Sequence, residues 1–142
     1  MINKEYIVGL VDGEGSFTAQ IRRSVKSSNV KRRARVEPRF FLKLIEKDKA
    51  ILYELKEYFG CGHVYFQKDK WVNHQNCYRF EVSHRQDLEM IIVPFFKENS
   101  LKLFSKKKDF ALFRQIMSII KKGEHLTDNG LARLNLIKEK MH

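Results

Sequence analysis

Two carboxylates near the N-terminus, Asp12 and Glu14, lie where an apolar segment gives way to glycine. The segment from Ile7 to Gly15 reads IVGLVDGEG. Its apolar part predicts a helix, and glycine is a common residue at a helix C-terminus. Carboxylates at that end of a helix oppose its dipole, so the helix gains no stability from Glu14. A bound cation would explain the placement, which makes Glu14 a candidate metal ligand.

Two glycines in the same segment indicate a close helix partner. Gly9 and Gly13 are four residues apart and therefore share one face of the predicted helix. Each interior glycine costs a helix roughly 1 kcal/mol relative to alanine, but small residues on one face let two helices approach closely. We therefore predict that Tyr6, Gly9 and Gly13 form an interface with a second helix. The side that carries Ile7 and Val11 is expected to pack on the domain's own core.

The segment from Ile7 to Gly15, with the strand-like residues after it, resembles the motif of the LAGLIDADG homing endonucleases. All nine positions match conservatively, and Glu14 replaces the second aspartate of the motif. The resemblance implies that Glu14 is catalytic and binds metal, that the Gly13 carbonyl is a second ligand, and that Asp12 is structural. It also implies Mg²⁺ as cofactor, with two or more divalent ions per dimer, for hydrolysis of one phosphodiester on each DNA strand. The alternative is a plain amphipathic helix that ends at Gly15.

Two further catalytic residues are implied by the same resemblance. Glu46 occupies the place after the second predicted strand where the family uses a polar residue to hold solvent. Lys107, within a run of three lysines from Lys106 to Lys108, stands where a lysine supports charge in the transition state. The alternative for that run is a solvated group of lysines.

Charge is concentrated in one part of this 142-residue chain. The net charge is +11, and residues 22–43 contain nine basic residues and one acid. A solvated face mixes signs, so this block indicates a polyanionic partner. Nucleic acid is favoured over a membrane surface, because the charges fall on predicted strands rather than on an amphipathic helix.

No apolar run approaches the ~20 residues that span a bilayer, and the N-terminus does not resemble a signal peptide. We therefore expect an intracellular protein, from an organelle (chloroplast or mitochondrion) or a prokaryotic cytoplasm. Neither a membrane nor a small-molecule substrate is expected as a partner.

Periodicity predicts a single α+β domain over residues 1–142 with the order α-β-β-α-β-β-α and additional C-terminal helices. This is the order of the LAGLIDADG core, so the resemblance covers nearly the whole chain. Ser83 is expected to cap the third helix and Pro94 to bend or end it. The predicted helices cover residues 3–13, 47–59, 85–96 and 106–121, with a last one capped near Thr127, and the predicted strands cover residues 17–23, 33–45, 62–70 and 75–83.

The four strands predict a curved antiparallel sheet with one face on the helices and one face exposed. Such a ribbon fits the major groove of DNA, where Arg and Lys contact guanine and Gln contacts adenine. The predicted DNA-binding residues are Gln20, Arg22, Arg33, Arg35, Arg39, Lys43, Gln67, Lys68, Lys70 and Arg79.

The motif occurs once, and in the family single-motif chains act as homodimers. The resemblance therefore implies a two-fold dimer and a long, near-palindromic target. The favoured function is a site-specific double-strand DNA endonuclease encoded in an intron, because the motif acid Glu14 is present. The alternative is a non-cleaving nucleic-acid-binding protein on the same fold, either an RNA maturase or a DNA-binding regulator.

Two cysteines leave a metal alternative open. Cys61, His63, His74 and Cys77 could supply four zinc ligands, but the single-residue gap in the first pair is unfavourable. We predict instead that both cysteines are small apolar residues.

Overall fold

Helix α1 (Lys4–Glu14) runs directly into strand β1 (Gly15–Arg22). The structure is a computed structural model that describes residues 1–22, 34–68 and 75–142. The side chain of Asn3 accepts a hydrogen bond from the Tyr6 N–H at 2.9 Å and caps the helix. Gly15 has an extended backbone rather than the left-handed one expected of a helix cap. Glycine is needed there because a Cβ would lie 2.6 Å from Cγ1 of Val11.

Four antiparallel strands form one sheet in the order β1-β2-β4-β3, where β2 is Arg35–Ile45, β3 is His63–Gln67 and β4 is Cys77–Val82. This confirms the predicted four-stranded antiparallel sheet, whose strand order was not predicted. Pro38 lies in the central strand β2, yet β2 pairs with β4 only from Phe40 onward. Pro38 is therefore at a local edge with β1 as its neighbour, where a missing N–H is tolerated.

Helices cover one face of the sheet. After a 3₁₀ turn at Glu46–Asp48, α2 (Lys49–Phe59) ends at Gly60, whose φ of 69° is left-handed. The next helical segment comprises α3 (Arg85–Asp87), a π-helical turn (Leu88–Ile92) and α4 (Val93–Glu98). Pro94 lies in the first turn of α4, directly after the π-helical turn, where a missing N–H is tolerated, and the helix continues to Glu98. The predicted cap by Ser83 is wrong, since His84 occupies the cap position and makes no side-chain cap bond.

The last two helices are α5 (Phe104–Lys121) and α6 (Asp128–Glu139). Thr127 caps α6, because its hydroxyl accepts a hydrogen bond from the Gly130 N–H at 3.0 Å. Helix α5 lies against the sheet, and Phe17 of β1 packs within 5.5 Å of four other phenylalanine rings. These rings belong to Phe40, Phe96, Phe110 and Phe113. The buried face of the sheet thus forms a rigid base for the exposed face.

Some predictions fall outside the described residues. These are the loop after Arg22, which includes Arg33, and the hairpin turn that includes Lys70 and His74. Among the described helices, none is long and apolar enough to cross a membrane.

Candidate functional site

The two sides of helix α1 have opposite environments. Ile7 and Val11 are fully buried in the core. Tyr6, Gly9 and Gly13 are exposed, and a Cβ added to either glycine would meet no other atom within 4 Å. The glycine face is therefore open in the protomer, as a surface that receives a second helix must be.

The first motif acid, Asp12, joins α1 to the segment that precedes α5. Its carboxylate is buried and accepts hydrogen bonds from the Lys102 N–H at 3.0 Å and the Leu103 N–H at 3.2 Å. Charge-assisted bonds of this kind are the stronger ones in proteins. This geometry agrees with the structural role expected for Asp12 and fixes the direction in which α5 begins.

The second motif acid, Glu14, is the last residue of α1 and is exposed. Within the described ranges its carboxylate makes no hydrogen bond or ion pair with another side chain. The Gly13 carbonyl belongs to the last turn of the helix, where carbonyl groups lack intrahelical partners. Both predicted ligands therefore lie at one end of α1 with oxygen atoms suited to Mg²⁺.

One protomer supplies too few ligands to enclose a metal ion. The described parts of the chain contain no group of three or more His, Cys, Asp or Glu residues arranged to hold one. The Glu14 carboxylate and the Gly13 carbonyl thus provide the type of ligand that Mg²⁺ prefers, but they are too few to complete its coordination. The remaining oxygens would have to come from a second motif, from water and from DNA phosphates.

The lysine that contacts the motif segment is Lys106, while the catalytic role predicted for Lys107 stays a prediction. The Lys106 ammonium donates a hydrogen bond to the Gly15 carbonyl, one residue beyond Glu14. Lys107 is exposed and lines a cavity with Phe96 and Arg114 instead. Adjacent residues of a helix point about 100° apart, so only one of two neighbouring lysines can face α1. The run of lysines in the sequence does not reveal which one that is.

Glu46 lies in the 3₁₀ turn that follows β2 and is exposed. Gly15 is paired with Leu42, three residues before the end of β2. The end of β2 therefore lies at the same end of the sheet as Glu14. The Glu46 N–H donates to the Asn76 carbonyl at 2.9 Å, which fixes the backbone of this turn. The solvent-holding role of Glu46 stays a prediction.

The exposed face of the sheet carries most of the predicted DNA-binding residues that the structure describes. The register places Gln20 beside Glu37, Arg22 beside Arg35, and Arg79 between Lys43 and Tyr65. Gln20, Arg22, Arg35, Lys43 and Lys68 are exposed, whereas Arg39, Gln67 and Arg79 are half-buried.

The half-buried arginines form ion pairs with acidic residues, which were not predicted from the sequence. Glu37 accepts from Arg39 at 3.1 Å and lies 3.4 Å from Arg22. Glu81 accepts from Arg79 at 2.6 Å. In each case an acid and an arginine two positions apart share one face of a strand, and this spacing is the signal that could have predicted the pairs.

The cysteines are free thiols in the described structure. Burial, and then the negative charge of Asp87, raises the pKa of Cys61 to about 11. A thiol with a raised pKa is a poor nucleophile and a poor metal ligand at neutral pH, which agrees with an apolar role for Cys61.

Comparison with known proteins agrees with the motif. A family model described as LAGLIDADG endonuclease matches residues 7–117. This chain belongs to the LAGLIDADG endonuclease family. The relatives of this chain include probable intron-encoded endonuclease 2 of Neurospora crassa, 34% identical over 134 residues, which cover 94% of this chain. The homing endonuclease I-ApeII of Aeropyrum pernix is 30% identical over 112 residues, covering 79% of this chain and 60% of its own length.

Solved LAGLIDADG-type structures share the fold. The crystal structure of the homing endonuclease I-TnaI superposes with a TM-score of 0.83 at 33% identity, covering 99% of this chain and 88% of that one. I-SmaMI bound to uncleaved DNA with calcium gives a TM-score of 0.85 at 28% identity, covering 100% of this chain but 45% of that one. This chain also spans only 28% of the Neurospora relative. Some members of the family thus contain much more sequence than this domain.

Proposed function

We propose that this protein is a site-specific double-strand DNA endonuclease, encoded in an intron as the name of its Neurospora relative states for that protein, with a long near-palindromic target. The observation that carries the proposal is the position of Glu14. It is an exposed acid without a partner among the described side chains, at the end of a helix with an open glycine face. The Lys106 ammonium donates a hydrogen bond to the carbonyl of Gly15, the residue after Glu14, and the basic sheet begins at Gly15.

The site requires a second motif, which we assign to a second copy of the chain. A two-fold dimer would bring the Gly9 and Gly13 faces of two α1 helices together and two Glu14 carboxylates close to each other. Two such carboxylates repel unless cations neutralise them, which supports a site for divalent ions between the protomers. The same symmetry extends the two sheets along one duplex.

When bound, Mg²⁺ would supply Lewis-acid stabilisation of charge on the phosphate and an activated water. Glu14 and the Gly13 carbonyl would hold it, and Glu46 would orient solvent at the same end of the sheet. The contact of the Lys106 ammonium with the Gly15 carbonyl supports a role for this lysine in stabilising negative charge on the scissile phosphate. The side chains of the sheet bind the duplex and fix its register.

Cleavage of a duplex obtained by binding selection from a random library tests the proposal. The selected duplex is incubated with the wild type in Mg²⁺, in Ca²⁺ and in EDTA, and with Glu14→Gln in Mg²⁺. We expect cleavage of both strands only by the wild type in Mg²⁺. Glu57→Gln, an exposed acid on α2, is the matched control and is expected to cleave normally. If the wild type binds the duplex tightly but leaves it intact in Mg²⁺, the chain is a non-cleaving binder and the proposal is wrong.

Sedimentation tests separately whether the second motif comes from a second copy of the chain. We expect a dimer at micromolar concentration on the selected duplex, with two protein chains per DNA. One chain per duplex, together with full cleavage, would show that the second motif does not come from a second copy.

A further inference from the structure

One arginine of the DNA-binding face is held in place on two sides. The Arg79 guanidinium lies 3.6 Å from the centre of the Phe41 ring, and its Nη2 donates to Glu81 at 2.6 Å. The register explains the cluster, because Phe41 is directly opposite Glu81 and Arg79 lies two residues before Glu81 on the same face of β4. Tyr65, directly opposite Arg79 on β3, completes its surroundings.

Arg39 also has an acidic partner, but its side chain is 29% exposed, and among the described basic residues of this face only Arg79 also stacks on an aromatic ring. The Arg79 side chain is 15% exposed and its partner Glu81 is 16% exposed, whereas Arg22 is 59% exposed. A solvated arginine must lose rotamer freedom when it binds, at a cost of about 0.5–1.5 kcal/mol. Stacking and the ion pair have already removed most of that freedom from Arg79. It is therefore organised for a directional contact, while the solvated residues suit the less directional attraction of phosphates.

The free hydrogen-bonding groups of Arg79 match one base. A guanidinium has five N–H groups. Glu81 accepts one of them, and the Nε–H is buried without a partner among the described residues. Two N–H groups on Nη1 and one on Nη2 remain, and one from each nitrogen can form the fork that donates to N7 and O6 of guanine in the major groove.

We propose that Phe41 and Glu81 are positioning residues that hold Arg79 in one orientation for recognition of a single guanine in each half of the target. This inference rests on the proposed function, because it concerns how the same face selects its DNA. Phe41 fixes the plane of the guanidinium through cation–π stacking, and Glu81 fixes its rotation through a charge-assisted bond. Arg79 makes the base contact, and the other two residues act through it.

Binding selection with a random duplex library in Ca²⁺, followed by sequencing, tests the inference. The wild type is expected to select guanine at one position per half-site, with a preference of roughly 5- to 150-fold over other bases. Arg79→Ala is expected to lose that preference and keep the others. Glu81→Gln keeps an acceptor without the charge, and Phe41→Leu keeps the bulk without the aromatic face. Both are expected to weaken the preference at the same position only.

Two further variants separate positioning from charge and from general stability. Lys43→Ala removes an exposed cation directly opposite Arg79, so it should lower affinity and retain the guanine preference. Arg79→Lys keeps the charge but lacks the planar fork, so it should lose the preference. If Arg79→Lys keeps the guanine preference, the inference is overturned even where Glu81→Gln or Phe41→Leu does not fold.

The outcomes distinguish this inference from the proposed function. A wild type that enriches no sequence overturns both. A wild type that enriches a sequence, with Glu81→Gln, Phe41→Leu and Arg79→Lys folded and selecting the same bases, overturns only the role given to these residues.

Discussion

The two sides of the eleven-residue helix α1 have opposite surroundings. On the inner side, Ile7 and Val11 are fully buried and the Asp12 carboxylate accepts N–H groups from two residues. On the outer side, the glycines contact nothing and Glu14 has no partner among the described side chains. The inner side is complete within the protomer, so its residues determine stability. The outer side has no such contacts among the described residues, so the proposed dimerisation and metal binding depend on its residues.

The largest test of this contrast concerns the lysines at the start of α5. Lys106→Met is expected to lower the cleavage rate about 10²- to 10³-fold, because it removes one charge that stabilises the transition state. Its lost hydrogen bond to Gly15 should cost no more than about 1 kcal/mol of stability. Single-turnover cleavage of the selected duplex measures the rate.

Lys107→Met is the matched control, since Lys107 is exposed and points away from the motif. We expect cleavage close to that of the wild type. A larger loss for Lys107→Met than for Lys106→Met would restore the prediction made from the sequence and contradict the geometry.

The next test separates the two acids by stability. Asp12→Asn should lower the free energy of unfolding by about 2–4 kcal/mol, because an amide replaces a buried carboxylate that accepts bonds from two N–H groups. Glu14→Gln changes an exposed side chain and should stay within about 0.5 kcal/mol of the wild type. Urea denaturation of both variants at equal protein concentration measures the difference. Equal losses would mean that the two acids do not have the separate roles given to them here.

Gly9→Ala probes the open face directly. Alanine in a helix interior is favoured over glycine by about 1 kcal/mol, and the added Cβ meets no atom within 4 Å in the protomer. We therefore expect a more stable protomer and a weaker dimer, measured by urea denaturation and sedimentation. Gly60→Ala is the opposite control, since the φ of 69° at Gly60 should make alanine cost roughly 1–2 kcal/mol. A Gly9→Ala variant that dimerises as tightly as the wild type would contradict the proposed interface.

Periodicity and one motif were sufficient to predict the four-stranded antiparallel sheet and its exposed face. Alternation placed Phe40 and Leu42 inward and Arg39 and Lys43 outward, and the register confirms this. These features could be predicted because a strand's side chains alternate whatever the tertiary structure.

The details that escaped prediction depend on contacts between distant residues. The choice of Lys106 over Lys107 is made by the direction of α5, which Asp12 fixes from 90 residues away. The need for glycine at position 15 comes from contact with Val11 rather than from a left-handed turn. The ion pairs of Glu37 with Arg39 and of Glu81 with Arg79 could have been predicted from their spacing of two residues. The net charge of the segment does not indicate them.

The smallest expected effect concerns the exposed face of the sheet. There, solvated basic residues such as Lys43 contrast with Arg79, which is paired with Glu81. Lys43→Ala should reduce the slope of log affinity against log salt by about 2 for the dimer, because each of the two protomers loses one phosphate contact and its released counterion. Its stability should change by less than about 0.5 kcal/mol, since Lys43 is exposed. Lys56→Ala on α2, also exposed but away from the sheet, should leave the slope unchanged. Filter binding across a salt series measures both. Equal slopes for Lys43→Ala and the wild type would mean that Lys43 does not contact phosphate, and that affinity rests on fewer residues of this face than its charge indicates.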